Sequence, residues 1–248
     1  MPFNIIVLIK QIVDIDLLKT DPSTGSPQVN NLPMRLENLS KNAIEEAVRI
    51  REKHGGKIYG ICFGTEKSTS AMKEAYAMGV DEGFVITGYQ GNDPSRTAKV
   101  LAEKIRAIQH DIILMGNQSA ESYTGILPGR ISRILGEPLL SNGVKVELQD
   151  GKAKVTMAME SENVTAEAPC PVIISVTQEI NEPRLPPVMQ ILQAGKKKIN
   201  VEATTVQGRT DLKVLSNLAP KSERKKIIFE DPEKGIPEIV KAIKEAMK

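Results

Sequence analysis

Residues 111–125, DIILMGNQSAESYTG, carry the side chains with the clearest chemistry. The apolar run Ile112, Ile113, Leu114 and Met115 is too short for a helix and suits a strand buried on both faces. It breaks at Gly116 into small and polar residues, and Thr124 and Gly125 then open an apolar-periodic segment, ILPGRISRIL. The order is strand, glycine-containing loop, helix start. In a parallel α/β sheet such a loop meets ligands outside the carboxyl ends of the strands, with phosphate against a helix N-terminus. Two readings follow: a nucleotide phosphate held by the backbone N–H groups of residues 122–125, or an ordinary connection whose Ser122 or Thr124 caps the helix. No G-x-G-x-x-G or Walker A pattern is present to choose between them.

Other chemistry is sparse. The two cysteines, Cys62 and Cys170, sit in apolar strand-like runs and read as buried free thiols. With His54 and His110 as the two histidines, the sequence assembles no zinc-type ligand set and no Cys-His pair, so no metal is expected. No nucleophile, base and acid occur in a recognisable arrangement, and no catalytic residue is assigned. Net charge is +2 and aromatic content 3%, with no Trp, which argues against nucleic-acid binding. A hydrophobic content of 40% with 26% charged residues over 248 positions is that of a globular chain able to bury a core. The N-terminal MPFNIIVLIKQI lacks a basic leader and its apolar run is too short to span a bilayer, so a cytoplasmic protein is expected.

The elements that must position the loop follow from periodicity. Residues 3–9 read as buried strand 1, ending at Lys10 within IKQIVD. Residues 20–31, TDPSTGSPQVNN, read as an exposed loop or hairpin. The spacing of Ala43, Ile44, Ala47, Val48 and Ile50 predicts a helix stopped by Gly55 and Gly56, with Asn38 or Ser40 as N-cap. Strand 2 (57–63), a helix ending at Gly79, strand 3 (83–87), a helix from Pro94, strand 4 and a helix closing near Gly136 complete a β-α alternation. This pattern predicts an α/β fold with an open, parallel, doubly wound sheet. Residues 143–148, 153–159 and 163–168 then alternate over short spans and predict added antiparallel strands, followed by one more buried strand at 171–176.

From Gln178 the core pattern is lost. The segment NEPRLPPVMQILQAGKKKINVE carries Leu185, Val188, Met189, Ile191 and Leu192 among prolines, which suits a partner surface better than a solvated loop. Lys196 to Lys198 read as a solvated charge run. Residues 209–226 read as an extended arm, and residues 237–247 as a last amphipathic helix.

Taken together, several residue sets resemble the β subunit of electron transfer flavoproteins. They are IKQIVD with Lys10 and Asp14, Asn38-x-Ser40 before AIEEAVRI, AMGVDEG at 77–83, GNQS at 116–119 with Thr124 and Gly125, and NEPR at 181–184 before Lys196 to Lys198. The resemblance implies an adenine-nucleotide-hydrolase-like fold and a heterodimer with an α subunit that holds most of a redox-active FAD. It implies AMP in the β domain, or a second FAD there in electron-bifurcating members. It also implies electron shuttling from acyl-CoA or other dehydrogenases to a quinone reductase or other acceptor, by a carrier subunit that is not itself an enzyme.

Carried over by position, the nucleotide pocket would comprise Leu8, Ile9 and Lys10, then Asn38, Leu39 and Ser40, then Phe63 and Gly64. Its last part would be Asn117, Gln118 and Ser119 with Ser122, Tyr123, Thr124 and Gly125. Glu182, Pro183, Arg184, Leu185, Val188, Met189, Ile191 and Leu192 would form the partner-recognition loop, Val188 or Met189 being the apolar anchor. The implied division is a nucleotide-binding domain at 1–180, the recognition loop at 181–200, and an arm and helix at 201–248 packing on the α subunit. The 116–125 loop is shorter than in many members and has Glu121 as its one acid, and Met157 and Ala158 stand where the family often has a base and an acid. A stand-alone adenine-nucleotide-binding protein of the stress-protein type is the alternative. An adenylating pyrophosphatase is disfavoured because the residues after strand 1, Lys10 to Asp14, contain no glycine.

Overall fold

In the computed structural model, the described residues are 2–91, 93–206, 212, 214–220 and 227–247. The first strand, β1 (Phe3–Ile9), explains the rest: it is buried on both faces. Ile5, Val7 and Ile9 enter one core with helices α1 (Asn38–His54) and α2 (Thr69–Met78). Ile6 and Leu8 enter a second core with α3 (Pro94–Arg106) and α4 (Leu127–Leu135). A strand covered by helices on both sides has no polar face, which is why its sequence is a continuous apolar run.

Around β1 lie β2 (Gly56–Gly64), β3 (Glu82–Thr87), β4 (Ile112–Gly116), β5 (Leu139–Gln149), β6 (Lys152–Ala158), β7 (Asn163–Pro169) and β8 (Val172–Val176). After α5 (Val188–Lys196) comes β9 (Asn200–Ala203), and α6 (Pro232–Ala246) ends the described chain. The sheet order is β7-β6-β5-β8-β4-β1-β2-β3-β9. All pairings are parallel except β5 with β6 and β6 with β7. The strand at β5 begins at Leu139, earlier than the alternation from Gly143 indicates, because its first residues pair parallel with β8 inside the sheet. Edge strand β9 has no apolar signature in the sequence: its burial is shallow and its place comes from backbone pairing with β3.

The described residues group into two compact units, Met1–Lys19 with Val29–Leu215, and Thr20–Gln28 with Ser216–Lys248. The first holds the sheet. In the second, Asp21 organises a turn by accepting from Ser23 and Thr24, which holds its exposed carboxyl down at about 2. There too α6 is capped by Asp231, whose side chain accepts from the Glu233 amide. The helix starts at Pro232, a turn before the expected Pro237, which lies inside it. Of the expected arm at 209–226, residues 212 and 214–220 are described, in neither helix nor strand, and the others lie outside the described residues. No described helix is long and apolar enough to cross a membrane.

Candidate functional site

The chain leaves β1 for β2 and β3 on one side and returns to β4 on the other. Where strand order reverses in this way, the loops at the carboxyl ends of the two central strands part and leave a crevice. Here a cavity of about 260 Å³ lies at that position, lined by the ends of β1, β2 and β4 and by the loop after β4. Apolar walls come from Leu8, Ile9, Phe63, Leu101, Met115 and Leu127, and polar groups from Lys10, Ser40, Asn117, Ser119, Ser122 and Thr124. Gly64, Gln118 and Gly125 also line it.

Three residues of the expected pocket fall outside the lining. Asn38 is exposed on the first turn of α1, and Tyr123 is 71% exposed with φ of +51°. Leu39 supports the cleft from behind: a Cβ on Gly116 would stand 2.6 Å from the Leu39 Cβ, so only glycine lets α1 start this close to the end of β4.

The start of α1 departs from expectation. Glu37, 2% exposed, is the N-cap, and its carboxylate accepts from the Ser40 amide at 2.9 Å. Neither Asn38 nor Ser40 caps, because the Ser40 hydroxyl accepts instead from the Lys10 amide at 3.1 Å. That bond, with the Glu37 amide donating to the Lys10 carbonyl at 3.0 Å, fastens the end of β1 to the helix and fixes the base of the Lys10 side chain.

The Lys10 ammonium reaches across the cleft. It donates to Ser119 Oγ at 3.0 Å and Ser122 Oγ at 3.3 Å, and pairs with Glu121 Oε2 at 2.9 Å. Ser119 and Ser122 are themselves 2.9 Å apart. The loop turns within itself: the Ser122 amide donates to Ser119 Oγ and the Tyr123 amide to the Ser119 carbonyl. The amides of residues 122 and 123 are thus already engaged, contrary to the expectation that all four of 122–125 face a phosphate. Gly125 has φ of +62°, and left-handed turns of this kind aim successive amides outward at anions. Neither Ser122 nor Thr124 caps the following helix. It begins at Leu127 after Ile126, with no side-chain cap, because Ser122 is held by Lys10 and Pro128 occupies its first turn.

Beside Gly64, Tyr89 stacks edge-on against Phe63 with centroids 5.4 Å apart. Burial pushes the Tyr89 hydroxyl up to about 12, and the Glu121 charge adds to this. Asn117 is placed by its amide on the Val176 carbonyl and its side chain on Asn142. Cys62 is buried, which pushes its thiol up to about 11 and makes it inert, whereas Cys170 is only partly buried, not the fully buried thiol expected. Glu37, Tyr89 and Glu121 were not anticipated as cleft residues. Glu37 had a signal, an acid three residues before a serine at a helix start, whereas Tyr89 is brought in by the parallel β2–β3 pairing.

The segment with NEPR is bound to α1. Asn181 exchanges hydrogen bonds with Asn42, its side chain also donating to Glu46, and the Arg184 guanidinium forks onto Glu45 and Glu52. Burial raises the Glu46 carboxyl. For Glu45 the same desolvation is outweighed by Arg184 and Arg49, and its carboxyl is held below the usual value. Arg184 is thus held to α1 within the chain with its side chain 39% exposed, while Leu185 beyond it is 93% exposed. On α5, Ala194 is buried and Val188, Met189, Ile191 and Leu192 are at least half exposed. Glu182 is exposed and Pro183 partly buried.

The electron transfer flavoprotein domain matches residues 29–206. A protein of Thermoanaerobacterium thermosaccharolyticum named electron transfer flavoprotein subunit beta is 36% identical over 79% of this chain and 76% of its own length. One of the same name from Clostridium acetobutylicum is 30% identical over 80% of this chain and 77% of its own. A third, from Bacillus subtilis, is 26% identical over 99% of both chains. On the domain match and these relatives, the chain belongs to the electron transfer flavoprotein family, as a β subunit that transfers electrons together with an α subunit.

Proposed function

We propose that the cleft above β1, β2 and β4 holds an adenine nucleotide, AMP, as a structural cofactor of the heterodimer. The observation that carries this reading is the coincidence of three features at the switch point: apolar walls, a lone ammonium at Lys10, and a serine-lined loop with a left-handed Gly125. Leu8, Ile9, Phe63 and Met115 would sandwich the base, and Lys10, Ser119, Ser122 and the amides of Thr124 and Gly125 would meet the phosphate.

The FAD shared with the α subunit supplies the redox chemistry when bound. This chain contributes binding and orientation, as a carrier subunit and not a catalyst on its own. Leu185, Val188, Met189, Ile191 and Leu192 would dock on the electron donor, an acyl-CoA or other dehydrogenase, with delivery to a quinone reductase or other acceptor. The arm and helix beyond residue 201 would pack on the α subunit. Family membership disfavours a stand-alone nucleotide-binding protein.

The test is to co-express the chain with its α subunit, purify, denature and identify the released nucleotides by chromatography and mass. One FAD and one AMP per heterodimer is the expected result. Two FAD would put a second flavin in the cleft, and no adenine nucleotide beyond the shared FAD would overturn the assignment.

A further inference from the structure

Among the described residues that line the cleft, Lys10 is the one cation, against the carboxylates of Glu37 and Glu121. Glu37 is committed to capping α1. An ammonium has three N–H groups to give, and Lys10 gives them to Ser119, Ser122 and Glu121. A ligand phosphate can therefore reach Lys10 only by displacing one of these. The two hydroxyls are tied to each other, and Ser119 Oγ also accepts from the Ser122 backbone amide. Glu121 has no other hydrogen-bond or ion-pair partner among the described residues, and its side chain is 39% exposed. It is the contact that yields.

We propose that Glu121 is a specificity-determining residue of this cleft, a tethered carboxylate that one phosphate monoester displaces from Lys10 and that repels any further phosphate. Its effect is to select nucleoside monophosphates over di- and triphosphates. The inference rests on the adenine-nucleotide reading of the cleft. Its physical basis is charge balance: the one ammonium offsets about half the charge that a phosphate monoester carries near pH 7, and each additional negative charge then lies within a few ångström of the displaced, unpaired carboxylate. At a half-exposed site such a pair of like charges changes affinity by roughly fivefold to tenfold.

The test is calorimetric titration of the nucleotide-stripped full chain with adenosine, AMP and ADP, comparing the wild type with Glu121→Gln, Glu121→Asp and Lys10→Gln. The wild type is expected to prefer AMP to ADP. Glu121→Gln should leave adenosine unchanged, tighten AMP by about threefold and tighten ADP by about tenfold, so that the preference collapses. Glu121→Asp should keep the preference, and Lys10→Gln should bring AMP down to the affinity of adenosine. If Glu121→Gln leaves the AMP-to-ADP ratio unchanged, or moves all three ligands equally, the selectivity role is wrong while the nucleotide site stands. If the wild type binds none of the three, the nucleotide reading falls and this inference falls with it.

Discussion

Gly125 and Gly116 flank the loop after β4 and do different things. A Cβ on Gly116 would collide with Leu39, so that glycine serves packing. A Cβ on Gly125 would meet nothing nearer than the Asn117 carbonyl oxygen at 3.9 Å, so the protein itself leaves room there. What Gly125 supplies is a left-handed backbone without a side chain in the cleft lining. A β-branched residue in that conformation costs roughly 1–2 kcal/mol, and its side chain would stand where the proposed phosphate would approach. Gly125→Val is therefore expected to fold with a stability loss of about 1–2 kcal/mol yet to retain at least tenfold less nucleotide. Thermal unfolding and the nucleotide released per chain measure the two effects separately. A variant that keeps its full nucleotide content would put the binding site elsewhere.

At the scale of elements, the attachment of residues 181–184 to α1 is an electrostatic joint with a definite pH dependence. Glu45 and Glu52 are held below their ordinary value in the folded chain, Glu52 by its hydrogen bond to Arg184 and Glu45 by Arg184 and Arg49 against the opposing pull of burial. A depressed carboxyl contributes stability above its unfolded value, and that stability is lost as pH falls through the lower folded value. Glu46 runs the other way: its raised carboxyl favours the fold at low pH and loses that contribution as pH rises through the folded value. Arg184→Met isolates the first effect. It is expected to cost about 2 kcal/mol at pH 6–7, discounted for the half-exposed guanidinium. The gap to wild type should close as pH drops below the carboxylate range. Urea midpoints of both proteins across that range provide the check, and a gap that stays constant would mean that Arg184 acts by packing alone. The joint was only partly legible in the sequence. The period of Ala43, Ile44, Ala47 and Val48 marks the buried face of α1, but nothing in it marks Glu45 and Glu46, which are buried too. They are buried because a segment 139 residues from Glu45 folds back over them, a contact no local pattern encodes.

At the scale of the whole molecule, the same contrast between local and distant causes decides what could be read. The β-α alternation and the switch-point cleft are properties of apolar runs and were legible. Strand β9 and the cleft residue Tyr89 depend on which strands become neighbours, and were not; Glu121 lies in the loop that was legible, but its pairing with Lys10 across the cleft was not. What periodicity did indicate is that apolar surface remains uncovered. On α5 and just before it, Leu185, Val188, Met189, Ile191 and Leu192 are exposed. On α6, in the other compact unit, Ile236, Ile239, Val240 and Ile243 follow the i, i+3, i+4, i+7 spacing of one helix face and are also exposed. Two such faces imply two coverings, and substitutions can separate them. Ile239→Asp with Ile243→Asp places two charges on the α6 face and is expected to prevent the heterodimer from forming, as read by gel filtration of the co-expressed chains. Leu185→Asp with Met189→Asp is expected to leave the heterodimer and its nucleotides intact while lowering the rate of reduction by a donor dehydrogenase about thirtyfold, the usual effect of losing an apolar anchor. If the second pair of changes abolishes the heterodimer instead, the α5 surface belongs to the α subunit, and the donor must dock on a face this chain does not provide with α5.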